Sequence, residues 1–207
     1  MKHGILNLLI AACLLTVHTS LNAQRETGSR LGITFSSLGT NDIFGGLSNQ
    51  HYSLDDKSFY ALGLTYIKGI NRWLELDASL EYARYKMKVS ANVYPDIFVF
   101  IREQEMELSM FNIPVTLRAN FLKYFFVNGG LLIDLDVSSN NPYIENLTGF
   151  GGIAGFGVNY NFDFGLSVFL NPYIKAHSWI NVKNQQKILE KGFRLGFAYD
   201  LHRIIKR

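Results

Sequence analysis

The chain has 207 residues, 20 of them basic and 17 acidic, and is 48% hydrophobic and 14% aromatic. A formal charge of +3 with no concentrated basic face argues against a nucleic-acid partner, and the length suits one domain. The one cysteine, Cys13, falls in the first twenty residues, so the rest of the chain forms no disulfides.

Residues 1–23 read as a secretory signal. Lys2 and His3 give a positive start, Ile5 to Val17 a mostly apolar core, and Leu21-Asn22-Ala23 a small residue for cleavage before Gln24. The core falls short of the roughly 20 apolar residues of a membrane helix, and no later run approaches that length. Ile10-Ala11-Ala12-Cys13 resembles a lipoprotein cleavage box, but Leu14, Leu15 and Val17 continue the apolar core beyond it. The alternative is that Cys13 leaves with the signal. Residues 24–207 remain as the domain. The late cations Lys183, Lys187, Lys191, Arg203, Lys206 and Arg207 read as solvated loop and tail.

After the signal the pattern alternates with period 2, which marks strands. Eight are predicted, near 29–38, 58–69, 73–91, 97–120, 124–138, 150–161, 164–177 and 191–202. Long connections near 39–57, 139–149 and 178–190 alternate with short ones near 69–72, 121–123 and 161–163. Transmembrane barrels have this arrangement, with short periplasmic turns and long outer loops. The expectation is an all-β, eight-stranded, antiparallel up-and-down transmembrane β-barrel.

The faces differ as lipid requires. The third strand sets Leu74, Leu76, Ala78, Leu80 and Tyr82 against Glu75, Asp77, Ser79 and Glu81. The fifth sets Phe125, Val127, Leu131, Ile133 and Leu135 against Tyr124, Asn128, Asp134 and Asp136. The seventh sets Leu166, Val168, Leu170 and Ile174 against Ser167, Asn171, Tyr173 and Lys175, and the eighth sets Phe193, Leu195, Phe197 and Tyr199 against Arg194, Gly196, Ala198 and Asp200. A soluble barrel or sandwich shows the same alternation with the wet and dry sides exchanged. Three features favour the membrane: the export signal, the two-signed charge on the polar face, and aromatics near strand ends. Those are Trp73, Tyr124, Tyr160, Phe162 and Phe164 by short turns, and Tyr143 and Trp179 by long loops. Glu75, Asp77, Glu81, Arg118, Asp134, Asp136, Lys175, Arg194 and Asp200 are expected to pair across a narrow lumen, since isolated buried charge is too costly.

In the fourth strand Met106, Leu108 and Met110 share one parity and Ile113, Val115 and Leu117 the other. A β-bulge near Phe111-Asn112, just before Pro114, would return both sets to one face. Gly155 and Gly157 are expected to make room for long charged side chains. The third and fourth strands exceed the roughly 9–11 residues needed to cross, so their hairpin projects outward. Its tip, with Tyr94, Pro95, Asp96, Phe98 and Phe100, is a candidate surface for a protein partner by strand addition.

Leu108-Ser109-Met110-Phe111-Asn112-Ile113-Pro114-Val115 and Tyr124-Phe125-Phe126-Val127-Asn128-Gly129-Gly130 resemble the outer-membrane β-barrel domain family common in Bacteroidota, grouped with small porin-like proteins. They are also similar to eight-stranded barrels of the OmpX and OmpA transmembrane type. The resemblance implies a monomer in the outer membrane, in contact with its lipid and with the barrel assembly machinery during biogenesis, and no cofactor. One departure is that the chain runs past Tyr199 to Arg207, where such barrels often end in an aromatic residue.

Barrel enzymes acting on lipids use His, Ser and a carboxylate at the outer rim. His177-Ser178 and Glu190 are the nearest match, but adjacent residues of a strand point to opposite faces. No His/Cys/carboxylate set has metal spacing. The expected role is structural or in surface interaction, without catalysis. The alternatives are a narrow porin-like channel or a part of an outer-membrane secretion or assembly machine.

Overall fold

A computed structural model describes residues 28–44, 52–91, 104–138, 146–180 and 187–202. Residues 1–23, expected to be a signal, the tip residues Tyr94, Pro95, Asp96, Phe98 and Phe100, and Tyr143 lie outside the described residues. Eight strands run in chain order: β1 (Ser29–Phe44), β2 (Tyr52–Gly69), β3 (Leu74–Ala91), β4 (Gln104–Phe121), β5 (Phe125–Asp136), β6 (Gly149–Asn161), β7 (Leu166–Ile180) and β8 (Lys187–Asp200). Each pairs antiparallel with its sequence neighbour, and β1 closes on β8 from Arg30–Asp200 to Phe44–Lys187. The up-and-down barrel anticipated from period 2 is the one formed.

Several strands extend further than expected. β1 reaches Phe44 because, past a register shift between Ser37 and Thr40, Thr40 to Phe44 ladder against Lys191 to Lys187. The connection expected at 39–57 is thus mostly strand, as is that at 178–190. Their polar residues hid the alternation, while closure against a neighbour satisfied their backbone groups.

The expected bulge in β4 does not form. Ala78 pairs with Val115 and Glu81 with Asn112 at one offset, and β4–β5 pairing continues through Pro114–Leu132. Met106, Leu108 and Met110 point into the barrel, whereas Phe111, Val115 and Leu117 point out. The face does not slip; the medium around the strand changes. Along β3, the outward residues Leu74 to Tyr82 give way to Arg84, Lys86 and Lys88, while the inward Glu75, Asp77, Ser79 and Glu81 give way to Ala83, Tyr85 and Met87.

Along β3 and β4 the lower part is therefore apolar outside and polar or charged inside, and the upper part is the reverse. The outward apolar stretch Leu74–Tyr82 spans roughly 20–25 Å for a tilted strand, the height of a hydrocarbon band. The belt continues round the barrel through Ile33, Leu64, Leu131, Phe156, Leu170 and Phe197, all exposed. In water so large a patch is an aggregation surface; in a bilayer it is the solvated side. Tyr124 stacks on Tyr160 (5.9 Å between ring centroids), and Phe162 packs against Tyr160 and Phe164 near one end. Tyr82 and Phe111 (5.4 Å) mark the other end, and Trp179 is exposed on β7. Such girdles sit at the two interfaces.

Beyond Tyr82 the ring is incomplete. β1–β2 pairing ends at Ser36–Ala61 and β4–β5 pairing at Met110–Asp136, followed by a Val137 N to Ser109 O bond. The β2–β3–β4 ladder goes on to Tyr52–Ala91 and Val89–Gln104. A three-stranded sheet thus stands above the belt. Phe59, Tyr85, Met87, Leu108 and Met110 form its apolar inner face, joined by Leu147 and Ile188.

Candidate functional site

The lumen holds the chemistry that the sequence singles out. Seven strands contribute a buried polar side chain to the paired network; β6 joins it only through Asn161 at its end and otherwise contributes room. Inward Gly155 leaves space for the Asn171 and Asn128 amides, whose oxygens would lie 2.7 and 2.9 Å from an added Cβ. Gly157 would meet the Phe126 ring at 2.5 Å, and Gly196 on β8 faces the Phe169 ring more closely still. The glycines thus accommodate rings and amides directly, not the long charged chains expected; at Gly157 and Gly196 the rings they admit in turn contact Arg118.

The network is layered. At the short-turn end Arg30 pairs with Glu75 and also donates to Asn161 (3.3 Å) and Ser167 (3.1 Å). In the next layer Asp77 accepts from Arg118 at 2.6 Å, from Thr65 at 2.7 Å, and from Arg194 at 3.4 Å. Arg194 also donates to Ser79 at 2.6 Å and lies 3.6 Å from Glu81. The Arg118 guanidinium sits in the corner formed by the Phe126 and Phe169 rings, 4.3 and 4.5 Å from their centroids, the rings lying at 83° to each other. A weakly hydrated planar cation is suited to this placement, with a carboxylate on one edge and two aromatic rings beside it.

Above this, Lys175 bridges Glu81 (2.7 Å) and Glu190 (3.4 Å). Glu190 accepts from Tyr85 and Tyr173, each at 2.5 Å, and approaches His177 Nε2 at 3.2 Å. His177 Nδ1 lies 3.0 Å from Asp134, whose other oxygen accepts from Ser178 N at 3.0 Å. With both carboxylates ionised, a ring placed between two acceptors is fully satisfied only when both nitrogens carry protons.

Of the nine charged residues expected inside, Glu75, Asp77, Glu81, Arg118, Asp134, Lys175 and Arg194 come together. Asp136 and Asp200 share the inward parity but stand apart. Asp136 accepts from Ser138 N (2.8 Å) and Leu147 N (3.1 Å), and Asp200 accepts from His202 N (2.9 Å). Each sits at a strand end, where free backbone N–H groups compete for its oxygens. Arg30 was legible by its alternation with Leu31, Ile33 and Phe35, and His177 by its parity with Lys175. Glu190 shares the parity of Arg194 but was missed because β8 was expected to begin at 191.

His177 and Ser178 do not point to opposite faces. Both are buried, because Ser178 takes φ 53° and breaks the strand alternation. The serine hydroxyl nonetheless donates to the Leu147 carbonyl, and both imidazole nitrogens face carboxylates. A nucleophile needs its hydroxyl on the base, so the set is not a triad. Among the described residues, no group of three or more His, Cys, Asp or Glu is arranged to hold a metal ion.

The arrangement fills the lumen instead of lining a path. Arg118, Asp134, Lys175, His177 and Glu190 are fully buried, with Tyr85, Met87 and Met110 above and Phe126 below. Leu147, from the β5–β6 connection, is also fully buried in the upper cluster, held by the Asp136 and Ser178 bonds to its backbone.

No protein-family profile and no curated protein sequence matches the chain. Solved structures do. The outer membrane protein OprG from Pseudomonas aeruginosa aligns with a TM-score of 0.50 at 12% identity, covering 84% of this chain and 96% of that one. The outer membrane protein AlkL in lipid bilayers gives 0.48 at 10% identity, covering 87% and 94%. The Yersinia pestis outer membrane protein Ail gives 0.39 at 14% identity, covering 82% and 99%. At these identities the OprG likeness establishes a shared barrel fold and nothing finer.

Proposed function

We propose that the chain is an outer-membrane β-barrel whose role is structural or in surface interaction, without catalysis. The observation that carries this is the double inversion along β3 and β4. Apolar residues face out and polar or charged ones in up to Tyr82 and from Phe111 on, whereas above that level Arg84, Lys86, Lys88, Glu105 and Glu107 lie on the outward parity and Tyr85, Met87, Met106, Leu108 and Met110 face in. One uniform solvent does not select both patterns on the same strands. The lower segment suits hydrocarbon and the upper one suits water. The sheet above the belt, with the β2 and β4 margins beyond the closed ring, is the natural place for a protein partner to add a strand. Membership of the Bacteroidota barrel family, cleavage near Ala23, a monomeric state and insertion by the assembly machinery complete the proposal. A narrow channel is the less favoured reading, since paired charge and packed rings fill the lumen.

Single cysteines test the topology, because the domain after the signal has none. Glu107→Cys should react with a membrane-impermeant thiol reagent in intact cells, and Leu195→Cys should stay protected even after permeabilisation. Labelling of Leu195→Cys once the outer membrane is breached would indicate a soluble periplasmic fold.

A further inference from the structure

The outward belt contains a groove of about 540 Å³ across β6, β7, β8 and β1. Leu38, Ala154, Phe156, Pro172 and Phe193 line it, together with Lys191, the next outward residue beyond Phe193 along β8. One lining residue is held at a cost. Leu38 has φ 58°, a left-handed conformation unfavourable for a leucine, at the register shift between Ser37 and Thr40. Gly39 follows where an added Cβ would run into the Lys191 carbonyl. The bulge lifts Leu38 to 81% exposure beside the groove. Bulges re-aim side chains, and strain of this kind points to use.

The charge points the same way. Along outward β8 the sequence is Tyr199, Phe197, Leu195, Phe193 and then Lys191, so a cation sits directly above the hydrocarbon stretch. Its carboxylate partner, Asp42, lies further out on β1, with Nζ 2.7 Å from Oδ2 and both side chains nearly half exposed. An exposed pair of this kind is weak, and a phosphate offers Lys191 a second set of acceptor oxygens.

We propose that this groove binds a phosphate-bearing lipid of the outward-facing leaflet, with an acyl chain along Leu38, Phe156 and Phe193 and the phosphate on Lys191. The site rests on the membrane reading above. The test is native mass spectrometry of protein released from phosphatidylcholine nanodiscs containing phosphatidylglycerol. The wild type should retain phosphatidylglycerol in preference to phosphatidylcholine. Lys191→Gln should cut that preference about fivefold, the worth of one cation near an anionic surface. Ala154→Phe, which puts a ring into the groove at an exposed lining position, should reduce retention with Lys191 intact. Asp42→Asn should leave retention equal or stronger, and Lys68→Gln, at the short-turn end, should match wild type. An unaltered preference in Lys191→Gln or Ala154→Phe, or an equal loss in Lys68→Gln, would overturn the site alone. A wild type that does not insert, shown by no heat-dependent gel shift, would overturn the membrane reading and the site together.

Discussion

Arg194 shows how a single side chain is held in this lumen. It contacts Asp77, Ser79 and Glu81 of β3 and Thr65 of β2, with its guanidinium 5.6 Å from the Phe169 ring centroid. Replacing it with leucine keeps volume but removes a cation shared by two buried carboxylates. Leaving buried charge uncompensated costs about 3–5 kcal/mol. Arg194→Leu should therefore lower the temperature at which the barrel loses its heat-resistant gel mobility, while exposed Lys68→Leu should leave it nearly unchanged. Equal losses would mean that Arg194 does not face inward. Its parity, opposite Leu195 and Phe193, was readable in the sequence. Its partners were not, because partners across a barrel depend on closure register, which no local pattern encodes.

At the scale of the strand, β4 carries its information in the switch at Phe111. Period 2 reports that two faces differ; it does not report what lies on either. Ile113, Val115 and Leu117 face lipid, and Met106, Leu108 and Met110 face a protein interior, so one unbroken strand looked like two strands out of phase. Pro114 encouraged that misreading, yet the ladder to β5 keeps its register through it. The switch predicts opposite tolerances on one outward face. Leu117→Arg should slow or block refolding into vesicles, at about 2–4 kcal/mol for an arginine near the midplane. Glu107→Leu, ten residues along the same face and above the girdle, should insert as well as wild type, followed by the gel shift on folding. The extents of β1 and β8 were less legible for a related reason. Their outer ends carry Thr40, Asn41, Asp42 and Glu190, which read as loop, and only pairing with each other makes them strand.

For the whole molecule, the question is whether eight strands enclose a path or a core. A barrel of this size has an interior just wide enough for side chains to fill. Here two different fillings are stacked. Paired charge and the Phe126, Phe169 and Arg118 contact occupy the belt, and an apolar cluster that includes Leu147 occupies the sheet above it. An ion would have to displace buried cations from carboxylates at 2.6–2.7 Å and then cross an apolar layer, where nothing replaces its hydration. Either layer suffices to block current, so weakening one should not open the barrel. In planar bilayers the wild-type protein should show no steady conductance, and Leu147→Asp, which wets only the upper layer, should remain silent. Opening should require the belt layer to fail as well, as in Leu147→Asp combined with Phe126→Ala and Phe169→Ala. Steady single-channel steps from the wild type would show that the lumen rearranges in lipid and would restore the channel reading.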